Sequence, residues 1–220
     1  MYDKILCIYP EDQTTDFLNS IPISIEKYIG DRFELFRIDI TEESYQMALY
    51  KMQSYPNGSL ILYLGHGSSS GFHCLQQSEG INIETCIFLN AQNIQRIQSK
   101  SLYALSCNSG LFLNCHRKKS NLVSWIGFGD LPTEYECFPL DIENKKMHLE
   151  KYKKIIVESV ILSIIELISS KSISKSYSIL KLYLNQKMIR LAADRKDSGN
   201  KLLADIIFRT KKEILISEKY

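Results

Sequence analysis

In the first 130 residues the apolar positions fall into short unbroken runs; beyond them they recur at three- and four-residue spacing. Runs at 4–9, 59–64, 102–105 and 122–126 suit strands buried on both faces, as in a parallel sheet. Segment 33–40 alternates, with Phe33, Leu35 and Ile38 among charged neighbours, and predicts a further strand. Between these, 15–29 carries Phe17, Leu18, Ile21, Ile25 and Ile29 at helical spacing, with Pro22 kinking the helix or delaying its start. Thr41 is a fitting N-cap, Glu42 and Glu43 occupy the first turn where the helix dipole favours anions, and Tyr45, Leu49 and Met52 mark one apolar face. Pro56-Asn57-Gly58 predicts a turn, the Ser- and Gly-rich stretch 68–80 a loop, and 91–97 and 111–115 short helical pieces. From Lys145 onward, 147–168, 174–193 and 201–216 each read as an amphipathic helix.

Strands alternating with helices predict right-handed crossovers and an α/β fold, with a mainly parallel sheet carrying helices on both faces. The expected organisation is an α/β core over 1–144, followed by a helical C-terminal portion over 145–220 packed on it. With 45% hydrophobic and 24% charged residues in 220, the chain has enough apolar material for a packed core, which excludes global disorder.

Charge changes this picture only locally. The net charge is +2, but residues 1–50 hold ten acidic and four basic side chains, whereas 145–220 hold seventeen basic and eight acidic ones. The basic helices are therefore a candidate surface for nucleic acid or an acidic partner, or simply solvated helix faces. No run of about 18 apolar residues predicts a membrane span. The N-terminus shows no basic-then-apolar leader pattern, so the expectation is a cytoplasmic protein whose six cysteines stay thiols.

The candidate chemistry sits where two buried runs end. Residues 59–64 lead into Gly65-His66-Gly67, and 102–105 lead into Ser106-Cys107-Asn108-Ser109-Gly110. In parallel sheets reactive groups collect at the carboxyl ends of the strands, so neighbouring strands would set His66 and Cys107 on one rim, roughly 5 Å apart across the sheet. An imidazole beside a cysteine can take the thiol proton and later return it to a leaving amine. The amides of Gly67 and Cys107 are candidate oxyanion donors, each worth on the order of 3 kcal/mol.

These segments resemble the caspase-like cysteine peptidase clan, and most nearly the prokaryotic CHAT-domain proteases. There, a His-Gly ends one core strand and an Ala/Ser-Cys-x-Ser/Thr-Gly ends the next. The matching segments here are 60–67 and 104–110, within an order of elements that covers roughly residues 1–130. The resemblance implies a thiol protease with Cys107 as nucleophile, His66 as base and Gly67 as an oxyanion donor, working without cofactor or metal. It implies that the segment after the next strand, including Trp125, Gly127 and Asp130, lines a substrate pocket. An inward Asp130 would then favour a Lys or Arg side chain. Protein substrates, an activating protein partner and a setting in antiviral defence or programmed death are further implications. No third residue orienting His66 is evident.

Other readings attach to other residues. An inactive relative would keep the fold for binding, and the basic helices would suit a nucleic-acid or partner-binding module. Gly67-Ser68-Ser69-Ser70-Gly71 matches G-x-S-x-G, with Ser69 as nucleophile and His148 as base, but Gly65 and His66 intervene between strand and motif. Gly65-x-Gly67-x-x-x-Gly71 lacks the lysine of a phosphate-binding loop. Cys and His are numerous, but no C-x-x-C pair signals zinc.

Overall fold

The computed structural model describes the chain except residues 1, 11, 40, 78–82, 137, 139–143, 195–196 and 219–220. Among the described residues, five strands form the parallel part of the main sheet: β1 (Ile5–Pro10), β2 (Phe33–Ile38), β3 (Leu60–Leu64), and, further along the chain, Ser101–Leu105 and Ser124–Gly127. A three-stranded antiparallel sheet is inserted after β3, made of β4 (His66–Ser68), β5 (Gly71–Gln77) and β6 (Ile83–Asn90). The later parallel strands are therefore β7 (Ser101–Leu105) and β8 (Ser124–Gly127). The helices are α1 (Ser20–Ile29), α2 (Glu42–Ser54), α3 (Ser109–Ser120), α4 (Lys145–Ser170), α5 (Ile173–Ala193) and α6 (Ser198–Lys212). A last strand, β9 (Leu215–Glu218), joins the sheet antiparallel to β8. The order across the main sheet is β2-β1-β3-β7-β8-β9.

Two apolar layers hold this sheet. Side chains alternate along each strand, so Ile5, Cys7, Leu62, Leu64, Tyr103 and Ile126 face α1, α4, α5 and α6. Their neighbours Leu6, Ile8, Ile61, Tyr63, Leu102 and Trp125 face α2, α3 and the small sheet. The central strands β1, β3 and β7 are buried along their whole length, as the unbroken apolar runs predict. Thr41 caps α2 by accepting from the Ser44 N–H. Pro22 lies in the first turn of α1, where its missing N–H costs nothing; a single 3-10 turn (Asp16–Leu18) precedes the helix.

Two expectations are corrected. The segment predicted as loop over 68–80 runs into β4 and β5: backbone pairing, not side-chain alternation, makes these strands. The helix predicted over 201–216 stops at Lys212, and Leu215–Glu218 pairs with β8. The C-terminal portion thus closes one edge of the sheet as well as covering one face.

Candidate active site

Three neighbouring strands end at one rim. β1 ends at Pro10, β3 at Leu64 and β7 at Leu105, with Ile5–Ile8 in register with Leu60–Tyr63 and Leu60–Leu64 with Ser101–Leu105. Just beyond these ends stand Asp12, His66 and Cys107. The parallel register thus turns three positions distant in sequence into one cluster.

His66 is held from several sides. Its Nε2 lies 3.1 Å from Asp12 Oδ2 and 2.9 Å from Thr14 Oγ1. Thr14 Oγ1 is also 2.5 Å from Asp12 Oδ1, to which its hydroxyl donates. With that proton committed, Thr14 can only accept from His66, so Nε2 carries the imidazole proton and Nδ1 is left as the acceptor. Behind the ring, the Tyr63 hydroxyl lies 2.6 and 2.7 Å from the carbonyl oxygens of His66 and His73, sharing its proton between them. Tyr63 itself is stacked on Phe72, with ring centroids 4.2 Å apart. The adjacent His73 bonds Ser68 Oγ at 2.8 Å, and burial, then the nearby His66, lower its pKa.

Asp12 is the residue that sequence reasoning missed. Its side chain is 8% exposed, and Oδ1 accepts the Thr14 and Thr15 N–H groups at 2.9 and 3.1 Å. Burial alone would raise its pKa, but hydrogen bonds from His66 and Thr14 and the imidazole charge outweigh burial and bring it down to about 2. The only local signal was an Asp-x-Thr-Thr turn after a buried strand. Its value depended on β1 lying beside β3.

Cys107 sits in the turn between β7 and α3, just ahead of a helix N-terminus, where the dipole favours a thiolate. The turn is built by its next three residues. Asn108 adopts a left-handed conformation with φ 55°, which Asn tolerates better than most side chains. Its N–H reaches the Gly129 carbonyl at 2.8 Å. Ser109 Oγ lies 2.8 Å from the Ala104 and Ser106 carbonyls and accepts the Phe128 N–H at 2.9 Å, tying the turn to the segment after β8. Gly110 packs so closely on that segment that a Cβ at Gly127 would fall 2.6 Å from the Gly110 nitrogen. Gly67 is pressed against the same turn: a Cβ there would lie 2.6 Å from Ser106 Oγ and 2.9 Å from the Cys107 carbonyl oxygen.

His66 and Cys107 line one narrow cavity of about 30 Å³. Its remaining walls include Thr14, Phe17, Leu18, Leu131, Thr133 and Ile156, the last contributed by α4. Cys107 Sγ lies 3.5 Å from the Leu131 carbonyl oxygen, an orientation that suits a protonated thiol. Thr14 and Thr133 also border a wider hollow of about 550 Å³.

The structure brings His66, Gly67 and Cys107 together and adds Asp12. It does not bring Trp125, Gly127 or Asp130 to the cavity walls. Trp125 points into the layer against α2 and α3, on the opposite face of the sheet from Ile126. Gly127 serves the contact with Gly110. Asp130 is exposed, and its N–H donates to Glu213 Oε2 at 2.9 Å. Ser69 is exposed in the turn between β4 and β5. His148 is buried in α4, 3.4 Å from Asp197. Cys7, Cys107 and Cys115 are thiols, whereas Cys86, which faces Cys74 in the β5–β6 ladder, is disulfide-bonded; this corrects the expectation that all cysteines stay reduced. Cys137 lies outside the described residues.

No protein-family model matches the chain, and no curated protein or solved structure does either. Among the described residues no helix is long and apolar enough to cross a membrane.

Proposed function

We propose that this chain is a caspase-like cysteine endopeptidase in which Cys107 attacks, His66 transfers the proton and Asp12 orients His66. The observation that carries the reading is the convergence of these three side chains at adjacent strand ends, with the imidazole proton drawn to Nε2 by Asp12 and Thr14. Nδ1 is then the nitrogen for the thiol. In the reaction the Sγ proton turns from the Leu131 carbonyl to Nδ1, and sulfur bonds to the substrate carbonyl carbon. The carbonyl electrons move to the oxygen, stabilised by amides of the Gly67 and Cys107 turn. Collapse expels the amine, which takes the proton from Nδ1; a water deprotonated by His66 then releases the acyl group and regenerates the thiol.

The substrates on this reading are proteins, the setting is the cytoplasm, and activation falls to a protein partner in a defence or death response. The basic C-terminal helices are the surface such a partner, or a nucleic acid, would use. Incubation with a mixed peptide library, with mass spectrometry of the products, tests the reading. Cleavage by wild type that is lost in both Cys107→Ala and His66→Ala supports it; cleavage that persists in Cys107→Ala removes it.

A further inference from the structure

We propose that Glu213, at the junction of α6 and β9, is a positioning residue for Cys107 and the point through which the C-terminal helices control it. This inference rests on the peptidase reading and concerns the regulation of that site. Glu213 follows the last residue of α6, and its N–H donates to the Arg209 and Thr210 carbonyls at 3.2 and 3.3 Å. Its Oε2 accepts the Asp130 N–H at 2.9 Å. Its side chain also packs so closely on Gly129 that a Cβ there would collide with Glu213 Cβ and Oε2. The same short segment meets the nucleophile turn. The Gly129 carbonyl accepts the Asn108 N–H at 2.8 Å, and the Leu131 carbonyl accepts from Cys107 Sγ at 3.5 Å. Residues 129–131 therefore touch Glu213 on one side and Cys107 with its neighbour on the other.

Glu213 is tied to the elements on both sides of it. Two residues on, Leu215 pairs with Gly127 as β9 joins β8, so the segment 129–131 leaves a strand that β9 also holds. Three residues back, Thr210 Oγ1 lies 2.8 Å from the hydroxyl of Tyr152, a fully buried side chain of α4. Burial raises the Tyr152 pKa, and the charges of Cys107, Asp130 and Glu213 add to that rise, as expected where all three gather around one buried hydroxyl. Phe208, Arg209 and Lys212 are exposed within a turn and a half of Glu213. A partner bound to this end of α6 reaches the nucleophile turn through two hydrogen bonds in series: Asp130 N–H to Glu213, and Asn108 N–H to Gly129. Asn108 is the residue whose left-handed backbone turns β7 into α3, so a change in its support re-aims Cys107 beside it.

The test compares Glu213→Ala, Glu213→Gln and Glu213→Lys with wild type and His66→Ala in the full chain. Labelling of Cys107 by a peptidyl electrophile is followed by intact mass, and amide hydrogen exchange by NMR reports on Asn108. Gln keeps a carbonyl oxygen for the Asp130 N–H, Ala offers no acceptor, and Lys sets a donor against a donor. The expected result is labelling slowed about three- to tenfold in Glu213→Ala, the scale of one hydrogen bond, and slowed further in Glu213→Lys. Glu213→Gln should stay within about twofold of wild type. Asn108 exchange should quicken in the Ala and Lys variants and stay at the wild-type rate in Gln. His66-dependent labelling at the wild-type rate in Glu213→Ala and Glu213→Lys, or a Gln variant as slow as Ala, overturns the positioning role and leaves the peptidase reading standing. Wild-type labelling that is equally fast in His66→Ala overturns the two together.

Discussion

Replacing Asp12 by Asn separates the charge of this carboxylate from its shape. In the folded chain Asp12 titrates at about 2, against 3.8 for an unperturbed side chain. That difference corresponds to stabilisation on the order of 2 kcal/mol when the carboxylate is ionised. The sign comes from proton binding: the folded state holds its proton less tightly, so the stabilisation is complete above 3.8 and is lost as pH falls towards 2. Urea unfolding of wild type and Asp12→Asn should therefore differ clearly near pH 5 and converge in strong acid. The chemical effect should exceed the stability effect. Asn Oδ1 can still accept the Thr14 and Thr15 N–H groups, which leaves Nδ2 in the place of Oδ2, 3.1 Å from His66 Nε2. Two donors would then face each other unless the imidazole proton moves to Nδ1, the nitrogen required to take the thiol proton. His66-dependent labelling of Cys107 should fall by roughly 10³- to 10⁴-fold, the scale reached when a catalytic imidazole is held in the wrong tautomer. A variant that labels at the wild-type rate, or a stability gap that widens in acid, would refute the assignment of Asp12.

Other substitutions test the supports of the site. Ser109→Ala leaves the buried Phe128 N–H without its acceptor and should cost about 1–3 kcal/mol in denaturant unfolding. It should also slow Cys107 labelling, because the turn is no longer tied to the segment after β8. Gly127→Ala drives a methyl into backbone at 2.6 Å from the Gly110 nitrogen, so neither partner can move alone; a loss of about 2 kcal/mol or more is expected in thermal or denaturant melts. Lys100→Met removes a buried ammonium that donates to the Gln53 and Gln98 carbonyls at 3.1 and 3.2 Å. It should destabilise by about 1–3 kcal/mol while leaving Cys107 labelling unchanged, since Lys100 precedes β7 at the opposite end of the strand from Cys107.

Local patterning settles where the buried strands run and which residues stand at their tips. Unbroken apolar runs at β1, β3 and β7 are local statements about burial on both faces, and the tips carrying His66 and Cys107 are read directly from them. The cap at Thr41 and the long helices α4 and α5 were legible for the same reason, since capping and periodicity involve only neighbours along the chain. The small sheet β4-β5-β6 was not, because a Ser- and Gly-rich hairpin carries no alternating pattern and is specified by its partner strands. Nor was β9, since Ile207 and Ile214 keep a helical spacing up to its first residue and only pairing with β8 makes Leu215–Glu218 a strand.

Long-range packing supplied the third member of the site. Asp12 matters because β1 lies next to β3, and strand order is set by which crossovers pack, not by any spacing along the chain. The same packing set the cavity walls. Trp125 and Ile126 are adjacent in sequence but face opposite layers, and only the placement of α4 on the Ile126 side puts Ile156 rather than Trp125 beside Cys107. Local periodicity marks which side chains are buried; the packing of distant elements chooses what they are buried against.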